Sequence, residues 1–134
     1  MKIDHAKVVV RYKDGRVVKG TTLNFDVRKP GFLLRPLGAD EDTELVPIRL
    51  CDLKAIFFVR DFAGDPEYSE RKEFDRPLTG RRMAVKFVDG ERLVGVSLTY
   101  DETRDGFFLF PADPRSNNER VYVLRNTVVG VERM

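Results

Sequence analysis

A chain of 134 residues is long enough for one ordinary domain or for two very small ones. Its 42% hydrophobic and 34% charged residues are typical of a folded protein and exclude extensive disorder. No apolar run reaches the roughly 18 to 20 residues of a membrane-spanning helix, and we expect no signal peptide before Val8. One cysteine, Cys51, and one histidine, His5, exclude a disulfide framework, a cysteine zinc site and most histidine-centred catalysis.

The net charge of +2 creates no overall attraction to nucleic acid or membranes, but the charges are unevenly distributed. Residues 7–36 carry eight basic side chains and only two acidic ones, and an acidic cluster follows at 40–44. The basic stretch could contact phosphates, with Tyr12, Phe25 and Phe32 as stacking partners. We favour the simpler interpretation that these charges keep the faces and edges of a small sheet in water. The basic residues are Lys7, Arg11, Lys13, Arg16, Lys19, Arg28, Lys29 and Arg35.

Residues 7–59 resemble residues 82–134 when the two segments are aligned with an offset of 75 and no gap. Twelve of the 53 aligned positions are identical, and they include Gly20 with Gly95. Matching glycines are informative because glycine fills positions where the backbone leaves no room for a side chain. We therefore predict that the chain contains two copies of one structural unit.

Each copy contains five short segments with the composition of β-strands. An Asp-Gly pair at 14–15 and at 89–90 separates the first two segments and predicts a hairpin with a type I′ turn. Gly20 and Gly95 interrupt the second strands and predict a bend or a close backbone approach. The predicted strands are residues 7–13, 16–25, 32–35, 45–49 and 55–60, and then 82–88, 91–100, 107–110, 120–124 and 128–133.

Residues 61–80 join the two copies. Asp65 and Pro66 can begin a short helix that residues 68–74 continue, although an extended linker on the surface is equally compatible with this sequence.

Five bent antiparallel strands in so few residues bury a core best when they curl into a small barrel. We therefore predict an all-β protein with two tandem five-stranded barrels, residues 1–60 and 81–134, joined by a short ordered linker at 61–80.

This order of strands and turns resembles the Sm-like superfamily of small β-barrels. Residues 8–16, followed by Gly20 and by Phe25-Asp26, are similar to the first Sm motif. Residues 121–131 are similar to the second motif, particularly in its bacterial RNA-chaperone version. The resemblance implies binding of uridine-rich or adenine-rich RNA by the loop after the second strand and by the turn between the fourth and fifth strands.

The whole chain also resembles a bacterial family of uncharacterised proteins, which implies no known activity. Residues 57–62 and 70–74 contribute most to this second resemblance.

The RNA-binding positions of the Sm family match this chain in part. Asp26 and Asp101 match the loop aspartate, but the asparagine expected shortly afterwards is absent from both copies. In the later turn, Arg125-Asn126 is a partial match and Cys51-Asp52 is none. If RNA binds, we predict phosphate contacts for Arg28, Lys29, Arg104 and Arg125.

Two pairs of consecutive phenylalanines lie in predicted strands, at 57–58 and 107–108, so one member of each pair must point out of its own copy. We expect these rings to be buried between the copies. We expect His5 on the surface and Cys51 as a packed thiol rather than a nucleophile.

No Ser-His-Asp set, metal cluster, phosphate-binding loop or dinucleotide motif is present in the sequence. We therefore predict a non-enzymatic, cytoplasmic interaction or regulatory module with no catalytic residue, metal site or cofactor, and single-stranded RNA is its candidate partner. Two alternatives stay open. One is an adaptor that binds protein and no nucleic acid, and the other is a cyclic-dinucleotide-binding barrel that uses Arg81-Arg82, although residues 96–101 lack the motif such barrels need.

Sm-like barrels form rings because the fourth strand of one barrel pairs with the fifth strand of the next. Two linked copies can make one such contact internally. Pro47 lies in the fourth strand of the first copy, where the second copy has Tyr122, and proline has no N–H to donate. We therefore predict a monomer or a simple dimer rather than a ring, with the fourth strand of the second copy as the better pairing edge.

Overall fold

The computed structural model describes residues 5–64, 67–68, 70–72, 74 and 79–134. These residues form ten strands and two short 3-10 turns, Leu50–Asp52 and Arg125–Thr127, and no other helix occurs among them. The predicted all-β class is confirmed. The strands are β1 (Lys7–Tyr12), β2 (Val17–Thr22), β3 (Gly31–Pro36), β4 (Val46–Arg49), β5 (Leu53–Val59), β6 (Arg81–Phe87), β7 (Arg92–Ser97), β8 (Gly106–Pro111), β9 (Asn118–Leu124) and β10 (Val128–Arg133).

All ten strands belong to one antiparallel sheet in the order β10-β6-β7-β8-β9-β5-β1-β2-β3-β4. Within each copy the order is the same: fifth, first, second, third and fourth strand. The sheet is continuous and open, with β10 and β4 at its two edges. The copies meet where β9 pairs with β5.

The strand registers repeat with the predicted offset of 75. Val8 lies opposite Phe58 in the first copy, and their counterparts Met83 and Arg133 lie opposite each other in the second. The hydrogen-bonding pattern of one copy is therefore a close replica of the other, down to the bulge that interrupts β5 and β10.

The Asp-Gly hairpins form, but their turns are not of type I′. The N–H of Gly15 donates to the Tyr12 carbonyl at 3.1 Å, and Gly15 has a φ of 96°. A type I′ turn also needs a positive φ at the aspartate, whereas every positive φ in the described part of the chain belongs to a glycine. The loop is instead a type I turn followed by a glycine bulge, a common hairpin of three-residue loops.

Two hydrophobic cores lie on opposite faces of β5 and β9. All seven residues of β5 are buried because Phe58 points into the first core and Phe57 into the second. In β8, Phe107 belongs to the second core, whereas Phe108 packs against the first. The prediction of burial holds for Phe57, Phe58 and Phe107, whereas Phe108 is half-buried against the first core.

The linker is bound to the second copy by hydrogen bonds to Asp113, whose side chain is fully buried. Its carboxylate accepts hydrogen bonds from the Tyr68 hydroxyl and from the Arg71 amide at 2.8 Å. The described linker residues (61–64, 67–68, 70–72, 74 and 79–80) are turns, bends or irregular, so the extended alternative describes them better than the helix. Asp65 and Pro66, the predicted start of that helix, lie outside the described residues.

Pro47 lies on the open side of β4. Leu33, its partner in β3, turns both backbone groups towards β2, where its N–H donates to Asn24 and its carbonyl accepts from Leu23. The backbone of Pro47 therefore faces away from β3 and towards solvent. The expectation that the second copy offers the better edge in its fourth strand is wrong, because β9 is already paired with β5 inside the chain.

Candidate nucleic-acid interface

The loops that follow the second strand of each copy lie side by side at the junction of the copies. Between them are two adjoining cavities of about 810 and 360 Å³, a size typical of ligand sites. We call the residues that line these cavities the junction groove. The two cavities share four of these residues, Val27, Arg28, Asp105 and Tyr122.

The smaller cavity is the second-copy counterpart of the larger one. Thr103, Arg104 and Phe108 line it at positions equivalent to Arg28, Lys29 and Leu33 in the larger cavity. One difference is that Tyr122 stands where the first copy has Pro47. The phenol packs against Gly106, where an added Cβ would lie 2.6 Å from the tyrosine oxygen.

The floor of the larger cavity is apolar. Phe32, Ile48 and Leu124 line it and are also members of the first core, so the cavity opens onto that core. At its margin, Val27 is 42% and Leu33 is 38% exposed. Such a floor suits the flat, apolar face of a base or another ring better than it suits a hydrated ion.

The rim of the groove is cationic. Arg28, Lys29 and Arg49 line the larger cavity, and Arg28 and Arg104 line the smaller one. Asp105 is the carboxylate that lines both. The rim therefore favours an anionic ligand.

Three of the four predicted residues line the groove, namely Arg28, Lys29 and Arg104. Arg125 is not a lining residue, but its Nε donates to the backbone carbonyl of Arg104 at 2.8 Å and its amide donates to the backbone carbonyl of Asp105 at 2.8 Å. The structure thus brings together four basic residues from three different loops.

Two of these cations are restrained by neighbouring carboxylates. Arg28 donates from Nε and Nη2 to Asp26, at 3.1 and 2.9 Å. The hydrogen bonds from Arg28 lower the pKa of Asp26 to about 2, so this pair stays charged at neutral pH. The Nε of Arg104 lies 3.6 Å from Oδ2 of Asp101. Lys29 and Arg49 form no ion pair within the described ranges of the chain, so their charge is available to a ligand.

The same aspartates shape the two loops. Asp26 accepts the amide of Arg28 at 2.9 Å, and Asp101 accepts the amide of Thr103 at 2.9 Å. This bond to the amide two residues later is the usual turn-forming role of aspartate. The Thr103 hydroxyl and amide also lower the pKa of Asp101.

Tyr122 is the central polar group of the groove. Burial raises the pKa of its phenol, and the charge of Asp105 raises it further. The phenol is therefore neutral over the physiological range and can donate a hydrogen bond to a ligand.

Three predictions about single side chains have different outcomes. Tyr12 is buried in the first core and lines neither cavity, so it is not a stacking partner, whereas Phe32 belongs to the same core but lines the floor of the larger cavity. Phe25 is half-buried at the centre of an aromatic cluster. Cys51 is exposed and lines the groove, so the packed-thiol prediction is wrong. His5 is exposed, as expected.

The sequence reasoning missed Arg49, Asp105 and Tyr122. Arg49 directly precedes the turn that the Sm resemblance marks, so its position was a usable signal. No signal in the sequence points to Asp105 or Tyr122, because only the β5–β9 pairing carries them to the loop of the first copy.

Comparisons with known proteins point to a family but not to an activity. A family model described as "Family of unknown function (DUF6982)" matches residues 4–134. No curated protein and no solved structure matches the chain. Within the described residues, no helix has the length and hydropathy of a membrane span.

Proposed function

The chain belongs to this family of unknown function, and we propose that it is a non-enzymatic, cytoplasmic module that binds single-stranded RNA in the junction groove. The observation that carries the proposal is the meeting of equivalent loops from both copies, so that Arg28, Lys29 and Arg104 line one groove and Arg125 donates to the backbone of the Arg104 loop.

The groove has the two components that single-strand binding requires. The cations on the rim can neutralise successive phosphates, and the apolar floor under Val27 and Leu33 can accept a base. The Tyr122 phenol can donate a hydrogen bond to the edge of that base.

A tandem Sm-like architecture is part of the same proposal. Its support is the contact between β9 and β5, which joins the fourth strand of one copy to the fifth strand of the other, as in the rings of the superfamily. The identical strand order of the two copies also supports it.

The cyclic-dinucleotide alternative has weaker support. Arg81 and Arg82 are consecutive in β6 and so point to opposite faces. The Arg81 guanidinium lies 5.5 Å from the ring of Tyr100, and that of Arg82 lies 4.9 Å from the ring of Phe74. Each guanidinium is therefore engaged with a different ring, although both residues line one small cleft beside β10.

Fluorescence anisotropy with labelled uridine and adenine 12-mers tests the proposal. Because three or four phosphates would contact the rim, we expect the logarithm of the binding constant to fall with the logarithm of salt concentration, with a slope of roughly −2 to −3. The double variant Arg28→Glu/Lys29→Glu should bind at least about tenfold more weakly.

A matched control is the double variant Lys13→Glu/Lys86→Glu, which makes the same change of charge at exposed positions that do not line the groove. Its affinity should change by less than about threefold. Equal losses of RNA affinity in the two double variants would show that the binding is nonspecific charge attraction. Absence of RNA binding at low salt would contradict the proposal and favour the protein adaptor.

A further inference from the structure

β10 forms one edge of the sheet, whereas the equivalent strand of the first copy, β5, is paired on both sides. β10 pairs with β6 on one side, and no other strand of the described residues pairs with it. Its counterpart β5 lies between β1 and β9, with the same register to its inner neighbour. The docking of β9 on β5 is therefore a template for a strand added to β10.

The template shows which backbone groups of β10 are open. The amide of Phe108 donates to a threonine hydroxyl on the β7 side, so its partner Tyr122 turns its backbone towards β5 and lies opposite Ile56. Ile56 corresponds to Val131. The N–H and carbonyl groups of Val131, and of Arg133 two residues later, therefore face the open side of the sheet.

The side chains of β10 differ from those of β5 in a way that restricts the partner. β5 is buried along its whole length. In β10, Glu132 and Arg133 replace the core residues Phe57 and Phe58, and both charged residues are exposed. A strand that adds to β10 must therefore carry charged side chains that complement Glu132 and Arg133.

The charge at the end of β10 is positive. Arg133, Arg81 and Arg82 line a small cleft of about 170 Å³ together with Tyr100 and Glu102. None of the three arginines forms an ion pair with the residues that the structure describes. A carboxylate on the incoming strand would satisfy this unpaired charge.

The β4 edge of a second copy does not fit this edge. The template would place Pro47 of β4 opposite Val131, where an N–H is needed. The template would also place Val46 opposite Glu132, which would bury a carboxylate without a partner.

We propose that β10 is the docking edge for an extended, acidic segment of a partner protein, which adds an eleventh antiparallel strand with a carboxylate opposite Arg133. This surface shares no lining residue with the junction groove, so the inference is independent of RNA binding.

A synthetic peptide that copies the internal template tests this inference. The probe has the sequence of residues 116–126 with glutamate in place of Arg120, the residue that lies opposite Phe58 in the template. Titration of the ¹⁵N-labelled full chain should shift the amide resonances of β10, and the unmodified arginine peptide should bind at least about fivefold more weakly. N-methylation of the probe at its tyrosine, opposite Val131, should abolish binding because it removes the backbone donor.

The variant Arg133→Glu should reverse the preference between the two peptides, and since this residue is exposed, the fold should be unaffected. Equal affinities of the two peptides, binding of the N-methylated probe, or shifts confined to the groove would each overturn the proposal. So would displacement of the bound probe from β10 by single-stranded RNA, which would make this edge a nucleic-acid surface.

Discussion

Pro47 and Tyr122 occupy the same register position in the two copies, but only Tyr122 has a strand on both sides. Tyr122 lies opposite Phe108 in β8 and opposite Ile56 in β5, whereas Pro47 lies opposite Leu33 and faces solvent on its other side. The chain thus makes the contact between fourth and fifth strands once, internally, and carries a proline where the same contact could be repeated.

We predict that the protein is a monomer at about 100 μM, with a light-scattering mass near the chain mass of 15.4 kDa. The triple variant Pro47→Val/Glu132→Phe/Arg133→Phe should self-associate, because it restores the missing donor at one edge and the apolar residues at the other. A wild-type species with three times the chain mass would contradict this and would support a ring.

Lys54 joins the two copies through a largely buried ion pair. Its Nζ lies 2.6 Å from Oδ2 of Asp89 and also binds Oε1 of Glu91. The same Nζ lies 4.6 Å from the ring centre of Phe87. We expect the double variant Asp89→Asn/Glu91→Gln to lose about 2–4 kcal/mol of unfolding free energy, because it leaves a buried ammonium without a counter-charge. Lys54→Met should lose less, since the two half-exposed carboxylates regain water.

Urea unfolding checks both values. The control is Asp14→Asn, at the position equivalent to Asp89, where the pair with Arg16 is exposed on both sides. A larger loss in Lys54→Met than in the double variant would show that packing, rather than charge compensation, is what Lys54 contributes.

Asp113 should make folding sensitive to acid. Burial opposes its ionisation, but hydrogen bonds from Tyr68 and from the amides of Arg71 and Arg115 outweigh burial and lower its pKa. A carboxyl with a lowered pKa in the folded state stabilises the protein above its unfolded value of about 3.9, and that contribution is lost as the pH falls through the folded value. Stability should therefore decline as the pH falls below about 4.

The variant Asp113→Asn should lose about 1–3 kcal/mol at pH 7, because it weakens three hydrogen bonds in a buried site, and its stability should fall less steeply in acid. Thermal or urea unfolding between pH 2.5 and 7 measures both effects. Asp42→Asn, at an exposed position, serves as the control. An unchanged acid slope in the Asp113 variant would assign the acid sensitivity to the surface aspartates instead.

Gly95 permits the close approach of β7 and β8 that the sequence predicts. A Cβ at this position would lie 2.2 Å from the Phe110 carbonyl oxygen, whereas a Cβ at Gly130 would meet nothing within 4 Å. We expect Gly95→Ala to lose about 1–3 kcal/mol or more, and Gly130→Ala to be nearly neutral. Chemical denaturation measures the unfolding free energy of both variants. Similar losses of stability in the two would mean that backbone entropy in the strand, and not a steric clash with Phe110, is the reason for a glycine at position 95.

Asp105 should oppose anion binding in the junction groove. The variant Asp105→Asn removes the carboxylate that lines both cavities, so we expect RNA affinity to rise by about two- to tenfold at low salt. The pKa of Tyr122, which Asp105 helps to raise, should fall towards its ordinary value in an ultraviolet titration. Glu102→Gln in the same loop does not line the groove and should leave both quantities nearly unchanged. A loss of affinity in the Asp105 variant would show instead that this carboxylate positions the loop.

The features that the sequence determined by itself depend on neighbouring residues. Gly15 adopts its positive φ because of the turn it occupies, and Asp26 binds an amide only two residues away. The offset of 75 also predicted the register of the second copy, because equal spacing of turns places equal residues opposite each other. Even here, the turn type was wrong, since an Asp-Gly pair serves both a type I′ turn and a glycine bulge.

Only the tertiary structure decided how the copies meet. Local sequence cannot specify that β9 pairs with β5, because this contact joins residues 59 to 68 positions apart and depends on burial on both faces of the sheet. That one pairing carries Tyr122 and Asp105 to the loop of Arg28, and it leaves β10 as an edge. The sequence was therefore sufficient to select the basic residues as candidates. Their assembly into one groove follows from long-range strand pairing, which cannot be read from their spacing along the chain.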